Sequence, residues 1–265
     1  MTRVAVLSDI HANLHALRAV LDDVGDHGVD SFLIAGDLVG YGVDPNDCIA
    51  LVRELPGTAV AGNHDLVAIG RASTERCGSL ATLSLDWTRT RLSPLSLAYL
   101  ESLPATASNG PFVITHGSLA DPFEYVRSAE QARAQLARLA QEAPTARFLV
   151  LGHTHIAWAF GEVSGGDPIR ARGARVRLRS GERYLLNPGS VGQSRDRRPD
   201  ASYLMLDTET GAAEFRRVAY DVAACRDGLR RNGIPVESCH RRPPRGGRGR
   251  QALSRLKRRL VQPVT

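Results

Sequence analysis

Lysine is all but missing from this chain: Lys257 is the only one, and every other basic residue is an arginine. Set beside heavy use of Ala, Gly and Leu, that bias reads as base composition rather than as a set of guanidinium forks for phosphate. Cysteine is sparse too. Cys48, Cys77, Cys225 and Cys239 form no C-x-x-C pair, which argues against a zinc knuckle or a disulfide framework and predicts reduced thiols. No apolar run approaches the ~20 residues of a membrane span. Val4–Leu7 is strand-length, broken at Asp9, and too short for a signal-peptide core. The expectation is a soluble, cytoplasmic protein with no membrane partner. Acidic residues are absent from 241–265, where nine residues are basic, so the formal charge of +6 belongs to that tail and residues 1–240 carry a net −3.

What is present is core. The chain has 265 residues, 43% of them hydrophobic, ample for one large domain and incompatible with a disordered chain. Val4–Leu7, Ser31–Ala35 and Thr58–Ala61 are short apolar runs of the kind buried on both faces of a sheet. Between them lie a helical pattern through Leu14, Leu17, Val20, Leu21 and Val24 and a second helix opened by Pro45. This β-α-β-α-β start predicts an α/β core with right-handed crossovers. Two helical stretches in Ser79–Leu103 read as an insertion spanning about 73–103, packed by Trp87 and Tyr99. Phe112–Thr115 and Arg147–Leu151 read as strands around a helix at Ala129–Gln141. Short β segments follow: Ala157–Glu162, Ala174–Leu178, Tyr184–Asn187, and Ala201–Asp207 paired with Ala213–Ala219. A helix from Val222 to Arg231 ends the domain, 1–240, and 241–265 is too rich in charge and chain breakers to pack.

The informative residues sit where strands stop. Asp9-Ile10-His11, Gly36-Asp37, Gly62-Asn63-His64-Asp65, Thr115-His116-Gly117 and Gly152-His153-Thr154-His155 each follow a predicted strand, and they hold five of the eight histidines. Open α/β sheets gather ligands at the carboxyl ends of their strands, so the five clusters should meet at one edge. One such cluster is explained by helix capping; five in succession are not. Two carboxylates, one amide oxygen and four imidazoles, with no thiolate, form a mixed N/O set. It suits Mn²⁺, Fe²⁺, Zn²⁺ or Ni²⁺ better than Ca²⁺. Seven donors exceed one tetrahedral ion and match two ions sharing a carboxylate.

This run of motifs, D-x-H, G-D, G-N-H-[DE], a lone H and G-H-x-H, resembles the calcineurin-like metallophosphoesterase superfamily. Ser8–Asn13, Gly36–Gly42 and Asn187-Pro188-Gly189-Ser190 resemble its small bacterial and archaeal phosphodiesterase branch. The resemblance implies a four-layer α/β/β/α sandwich of two mixed sheets, with the β segments after Leu151 forming the second sheet. It implies one divalent ion on Asp9, His11, Asp37 and His155 and a second on Asp37, Asn63, His116 and His153. His64 would be a non-ligand histidine that stabilises transferring phosphoryl charge or protonates the leaving alkoxide, while a hydroxide bridging the ions attacks phosphorus. The implied substrate is a small phosphodiester or phosphomonoester. Asn13 and Arg195 are candidate phosphate contacts, each with a plainer reading as a helix start and a solvated charge run. Asp65 is open between orienting His64 and capping a helix, and Asn187–Ser190 between a plain turn and, as the resemblance implies, a loop beside the metals. Ser194 stands where many relatives carry proline. His15 reads as a packed or surface residue, and His27 and His240 read as surface residues. Protein phosphatases of the superfamily carry Asp-Arg-Gly after the G-D motif, where this chain has Gly40-Tyr41-Gly42, which argues against a phosphoprotein substrate. The competing readings are a dinucleoside polyphosphate hydrolase and a non-enzymatic scaffold or nucleic-acid binder engaged through 241–265.

Overall fold

Alternation along the strands decides how the layers stack. In the computed structural model, which describes residues 3–163, 169–170 and 174–243, the elements run β1 (Arg3–Leu7), α1 (Leu14–Gly25), β2 (Ser31–Ile34), α2 (Pro45–Glu54), β3 (Gly57–Ala59), α3 (Asn63–Ala68), α4 (Ser79–Arg89), α5 (Pro94–Ser102), β4 (Thr106–Asn109), β5 (Phe112–Thr115), α6 (Ala129–Glu142), β6 (Phe148–Val150), β7 (Ala157–Gly161), β8 (Ile169–Arg170), β9 (Arg175–Arg177), β10 (Tyr184–Pro188), β11 (Ala201–Asp207), β12 (Ala212–Val218) and α7 (Val222–Arg231). Two sheets form, in the orders β3-β2-β1-β11-β12-β9 and β4-β5-β6-β10-β7-β8. Val4, Val6, Leu33, Leu204, Leu206 and Phe215 of the first sheet pack against Phe112, Ile114, Phe148, Val150 and Leu186 of the second. The intervening positions face outward: Ala5, Leu7, Phe32 and Ile34 meet Leu17, Val20 and Ile49 of the helices, and Val113, Leu149 and Leu185 meet Leu136 and Leu139 of α6. A period-2 pattern buried on both faces is what a sheet between two layers requires. The result is the expected α/β/β/α sandwich.

The opening strands β1, β2 and β3 are parallel, as the β-α-β-α-β pattern predicts. The later strands depart from expectation. They do not make up the second sheet by themselves. β11 pairs antiparallel with β1 and carries β12 and β9 into the first sheet. β10 pairs parallel with β6 and carries β7 and β8 into the second. The predicted pairing of Ala201–Asp207 with the following segment holds, as β11 on β12. The tail reading falls on residues of which 244–265 lie outside those described, and the 73–103 stretch, read as an insertion, contains α4 and α5.

This topology brings the carboxyl ends of β1 and β2 opposite those of β5 and β6. Past the strand ends, the first two loops stay laced: the amides of Asp9, His11 and Ala12 donate to the carbonyls of Gly36, Asp37 and Leu38 at 2.8–3.0 Å.

Candidate metal centre

Backbone conformation marks the site first. Among the described residues, seven non-glycine positions have a left-handed φ: Asp9, His11, Ala12, Asp37, Tyr41, His153 and His155. Such conformations cost about 1–3 kcal/mol each and persist where surrounding structure enforces them. Here they turn the chain sharply at strand ends, so that donors from separate loops face one point. Gly62 is required for the same convergence: an ideal Cβ there would lie 2.1 Å from Asp37 Oδ1.

Asp9, His11, Asp37, Asn63, His64, His116, His153 and His155 are all buried together. Their donor atoms make three groups able to hold an ion, Asp9–His11–His155, His11–Asp37–His64 and Asp37–His116–His153, with the atoms of each group within 4.8 Å of one another. His155 Nε2 is 3.1 Å from Asp9 Oδ1, and His11 Nε2 is 3.8 Å from the same oxygen and 3.7 Å from Asp37 Oδ2. His116 Nε2 is 3.2 Å from Asp37 Oδ2 and 3.1 Å from Asn63 Oδ1.

The hydrogen bonds divide the eight residues by role. Each carboxylate ties one oxygen to a backbone amide: Asp9 Oδ2 accepts from His153 N at 3.1 Å, and Asp37 Oδ1 from His64 N at 2.8 Å. Their other oxygens, Asp9 Oδ1 and Asp37 Oδ2, are buried with no hydrogen-bond partner among the described residues. Four histidines are tied outward to backbone carbonyls: His11 Nδ1 to Val39 at 3.1 Å, His116 Nδ1 to Ala35 at 2.6 Å, His155 Nδ1 to Gln193 at 2.7 Å and His153 Nε2 to Phe123 at 3.2 Å. One ring nitrogen fixed by a carbonyl leaves the other free to ligate, the usual support of a metal-binding imidazole. His64 is the exception, with its Nδ1 buried and unpartnered among the described residues. Orphaned carboxylate oxygens and outward-anchored imidazoles are the donor set that divalent cations need, and the residues fit such ions.

Electrostatics agree. Burial alone raises a carboxyl pKa, yet Asp9 and Asp37 are held below the usual carboxylate range by His155 and His116 respectively. Burial pulls His153 down to about 3 and His64 to about 4. Burial also acts on His116, but the Asp37 carboxylate overrides it and lifts the imidazole to about 9.

The surrounding residues resolve the open readings. Asp65 does not touch His64 by any hydrogen bond; it caps α3 through Gly62 N at 2.9 Å and accepts from Leu38 N and Val39 N at 2.9 and 3.1 Å. Asn13, expected at a phosphate, has both amide protons engaged, by Gly192 O at 2.9 Å and Tyr220 Oη at 3.3 Å, while its Oδ1 caps α1. Arg195 is half-buried, its Nε reaches Gln193 Oε1 at 3.5 Å, and its charge acts on His155 and Tyr41. Asn187–Ser190 is more than a turn. Asn187 Nδ2 donates to Gly152 O at 2.6 Å, and Ser190 Oγ donates to Asp9 O at 2.9 Å. His240 is buried, not a surface residue: its Nε2 bonds Asp196 O at 2.9 Å and its backbone bridges Ser194. That bridge, with Ser194 Oγ donating to Arg198 O at 2.7 Å, restrains the loop at Ser194. Sequence reading missed Tyr41, whose ring lies 4.7 Å from those of both His11 and His64.

Comparison with known proteins places this geometry in a family. The sequence model of the calcineurin-like phosphoesterase superfamily domain matches residues 2–211. An uncharacterized protein of Methanocaldococcus jannaschii is 32% identical over 238 residues, 88% of this chain and 93% of that one. The crystal structure of a metallophosphoesterase from Sphaerobacter thermophilus superposes with a TM-score of 0.77 at 36% identity, covering 89% of this chain and 97% of its own. A hypothetical protein from Pyrococcus horikoshii shares the fold, with a TM-score of 0.71 at 19% identity over 90% of this chain and 96% of that one. With a matching sequence model, relatives that align along nearly their whole length and a converged Asp/His/Asn centre, the chain belongs to the calcineurin-like phosphoesterase superfamily.

Proposed function

We propose that this protein hydrolyses a small phosphodiester or phosphomonoester with two divalent ions, one held by Asp9, His11, Asp37 and His155 and the other by Asp37, Asn63, His116 and His153. The observation that carries the reading is the pairing of two buried carboxylate oxygens, met by no backbone amide and facing imidazole nitrogens at 3.1–3.2 Å, with four imidazoles anchored from outside. When bound, two such ions supply Lewis acidity and bring the pKa of water towards neutrality.

The chain's own residues do the rest. Asp37 lies between the two donor sets and serves both. Arg195, whose charge acts on His155, orients a phosphate oxygen through its guanidinium fork in this reading. His64 stands apart from the ligands in having no outward anchor, and in this reading it gives a proton to the departing alkoxide. Its imidazole is neutral when buried alone, and an arriving phosphoryl anion favours the protonated form. Gly40-Tyr41-Gly42, in the place of Asp-Arg-Gly, supports a small substrate over a phosphoprotein.

The test is an activity panel on the full chain reconstituted with Mn²⁺, Fe²⁺, Zn²⁺ or Ni²⁺, run over cyclic nucleotides, dinucleoside polyphosphates, simple diesters and monoesters. Turnover of a simple diester or monoester that is abolished by chelation is expected. Turnover confined to dinucleoside polyphosphates would move the substrate class, and no turnover with any ion would end the enzymatic reading.

A further inference from the structure

His64 is held in an unusual way for a residue that must present a proton. An ideal Cβ on Gly40 would lie 2.2 Å from His64 Nδ1, and Gly40 itself sits at φ +83°. No side chain fits between them, so position 40 cannot offer Nδ1 a hydrogen-bonding carboxylate, and Nδ1 has no partner among the described residues. A ring with no such bond can turn about its χ2 bond unless packing prevents it, since that torsion is broad for imidazoles. Two rings do the packing. His11 meets His64 edge-on at 4.7 Å and 65°, and Tyr41 lies against it at 4.7 Å, tilted by 40°.

Tyr41 is itself fixed from several sides. Its amide donates to Ser84 Oγ of α4 at 2.9 Å, its hydroxyl lies beside the Gln193 side chain, and its ring meets His11 at 78°. It is buried, and it holds φ +60°, a conformation that bulky side chains rarely adopt. Strain of this kind at a buried aromatic beside a reactive group points to a role for the ring's placement.

We infer that Tyr41 is a positioning residue whose ring fixes the orientation of His64, in place of a hydrogen bond to Nδ1. The inference rests on the reading of His64 as proton donor to the leaving group. With Nδ1 closed off by Gly40, Nε2 is the nitrogen left to carry that proton, and its aim depends on the angle at which Tyr41 holds the ring. Helix α4 and the Gln193 loop thereby act on leaving-group departure through one side chain.

The test compares p-nitrophenyl and phenyl esters of the same phosphodiester on the metal-reconstituted full chain, because p-nitrophenolate departs without a proton. Tyr41→Leu should lower kcat on the phenyl ester ~10- to 100-fold and on the p-nitrophenyl ester less than ~3-fold, with KM and metal content unchanged. Tyr41→Phe, which disturbs folding least, keeps the ring and should retain the wild-type ratio of the two rates. In a His64→Ala background, Tyr41→Leu should add nothing. Equal losses on the two esters, loss of metal, additivity with His64→Ala, or a Tyr41→Phe ratio as altered as that of Tyr41→Leu would each overturn the inference. If His64→Ala itself fails to discriminate between the esters, the proton-donor reading falls and this inference with it. If His64→Ala discriminates and the Tyr41 variants do not, only the role of Tyr41 falls.

Discussion

A buried carboxylate oxygen that no backbone donor satisfies is unfavourable inside a protein, and this fold buries two of them among the same imidazoles. Removing one of these charges should therefore show in metal content before it shows in folding. Asp37→Asn, measured by elemental analysis after reconstitution, is expected to bind fewer than two ions because Asp37 serves both donor sets. His64→Ala should keep both ions and lose ~10²–10⁴-fold in kcat, the usual contribution of a general acid; a metal-poor His64→Ala would make His64 a ligand. The donor residues were legible in the sequence because each follows a strand, and strand ends converge by topology rather than by residue-specific packing. Asn13 was legible only as a helix start, which its Oδ1 bond from Ala16 N bears out. Its tie to Gly192 and Tyr220, and the burial of His240 against Asp196, were not legible, because those partners lie tens to about 200 residues away. The left-handed backbone at seven positions was equally hidden, although Asp and His tolerate it better than most residues.

Elements meet through loops, and Asp65 is the side chain that joins the loop after β2 to the start of α3. It accepts three backbone amides, from Leu38, Val39 and Gly62, in full burial. Asp65→Ala leaves those donors unsatisfied at about 1–3 kcal/mol each, without strict additivity. Urea unfolding should show a loss on the order of 3 kcal/mol, and metal affinity should fall as the Asp37 loop loosens. Strand existence was readable where apolar residues run together, as at Phe112–Thr115 and Ala201–Asp207. β4 was not, because Thr106–Asn109 is polar and half exposed and carries no apolar run. The division of β7–β12 between two sheets was also hidden. Each late strand could satisfy its period in either sheet, and the choice is made by long-range pairing such as β11 on β1.

Across the whole molecule, α1, β11 and β12 are tied by one charged cluster. Arg216 Nε and Nη2 each reach Asp23 at 2.8 Å, and Tyr203 Oη donates to Asp23 at 2.6 Å. The Arg216 hydrogen bonds hold the Asp23 carboxyl below its ordinary value, with burial opposing. A carboxyl depressed in the folded state contributes stability that is full above its unfolded pKa of about 4 and is lost as pH falls through the lower folded value. Denaturant midpoints should therefore drop between pH 5 and the acid limb by more in the wild-type chain than in Asp23→Asn; equal drops would remove Asp23 from the acid response. The tail is a separate matter of partners. Truncation after His240 should leave turnover of a small diester intact, and affinity for DNA that is unchanged by the truncation would dispose of a nucleic-acid role for 241–265. The account as a whole rests on two ions acting together at one centre. Its most direct test is to titrate the metal-free full chain with a single divalent ion, chosen as the most active in the panel, while following hydrolysis of a p-nitrophenyl diester. Activity should rise to a plateau at two equivalents per chain and be absent in Asp37→Asn. A plateau at one equivalent, or full activity in Asp37→Asn, would contradict it.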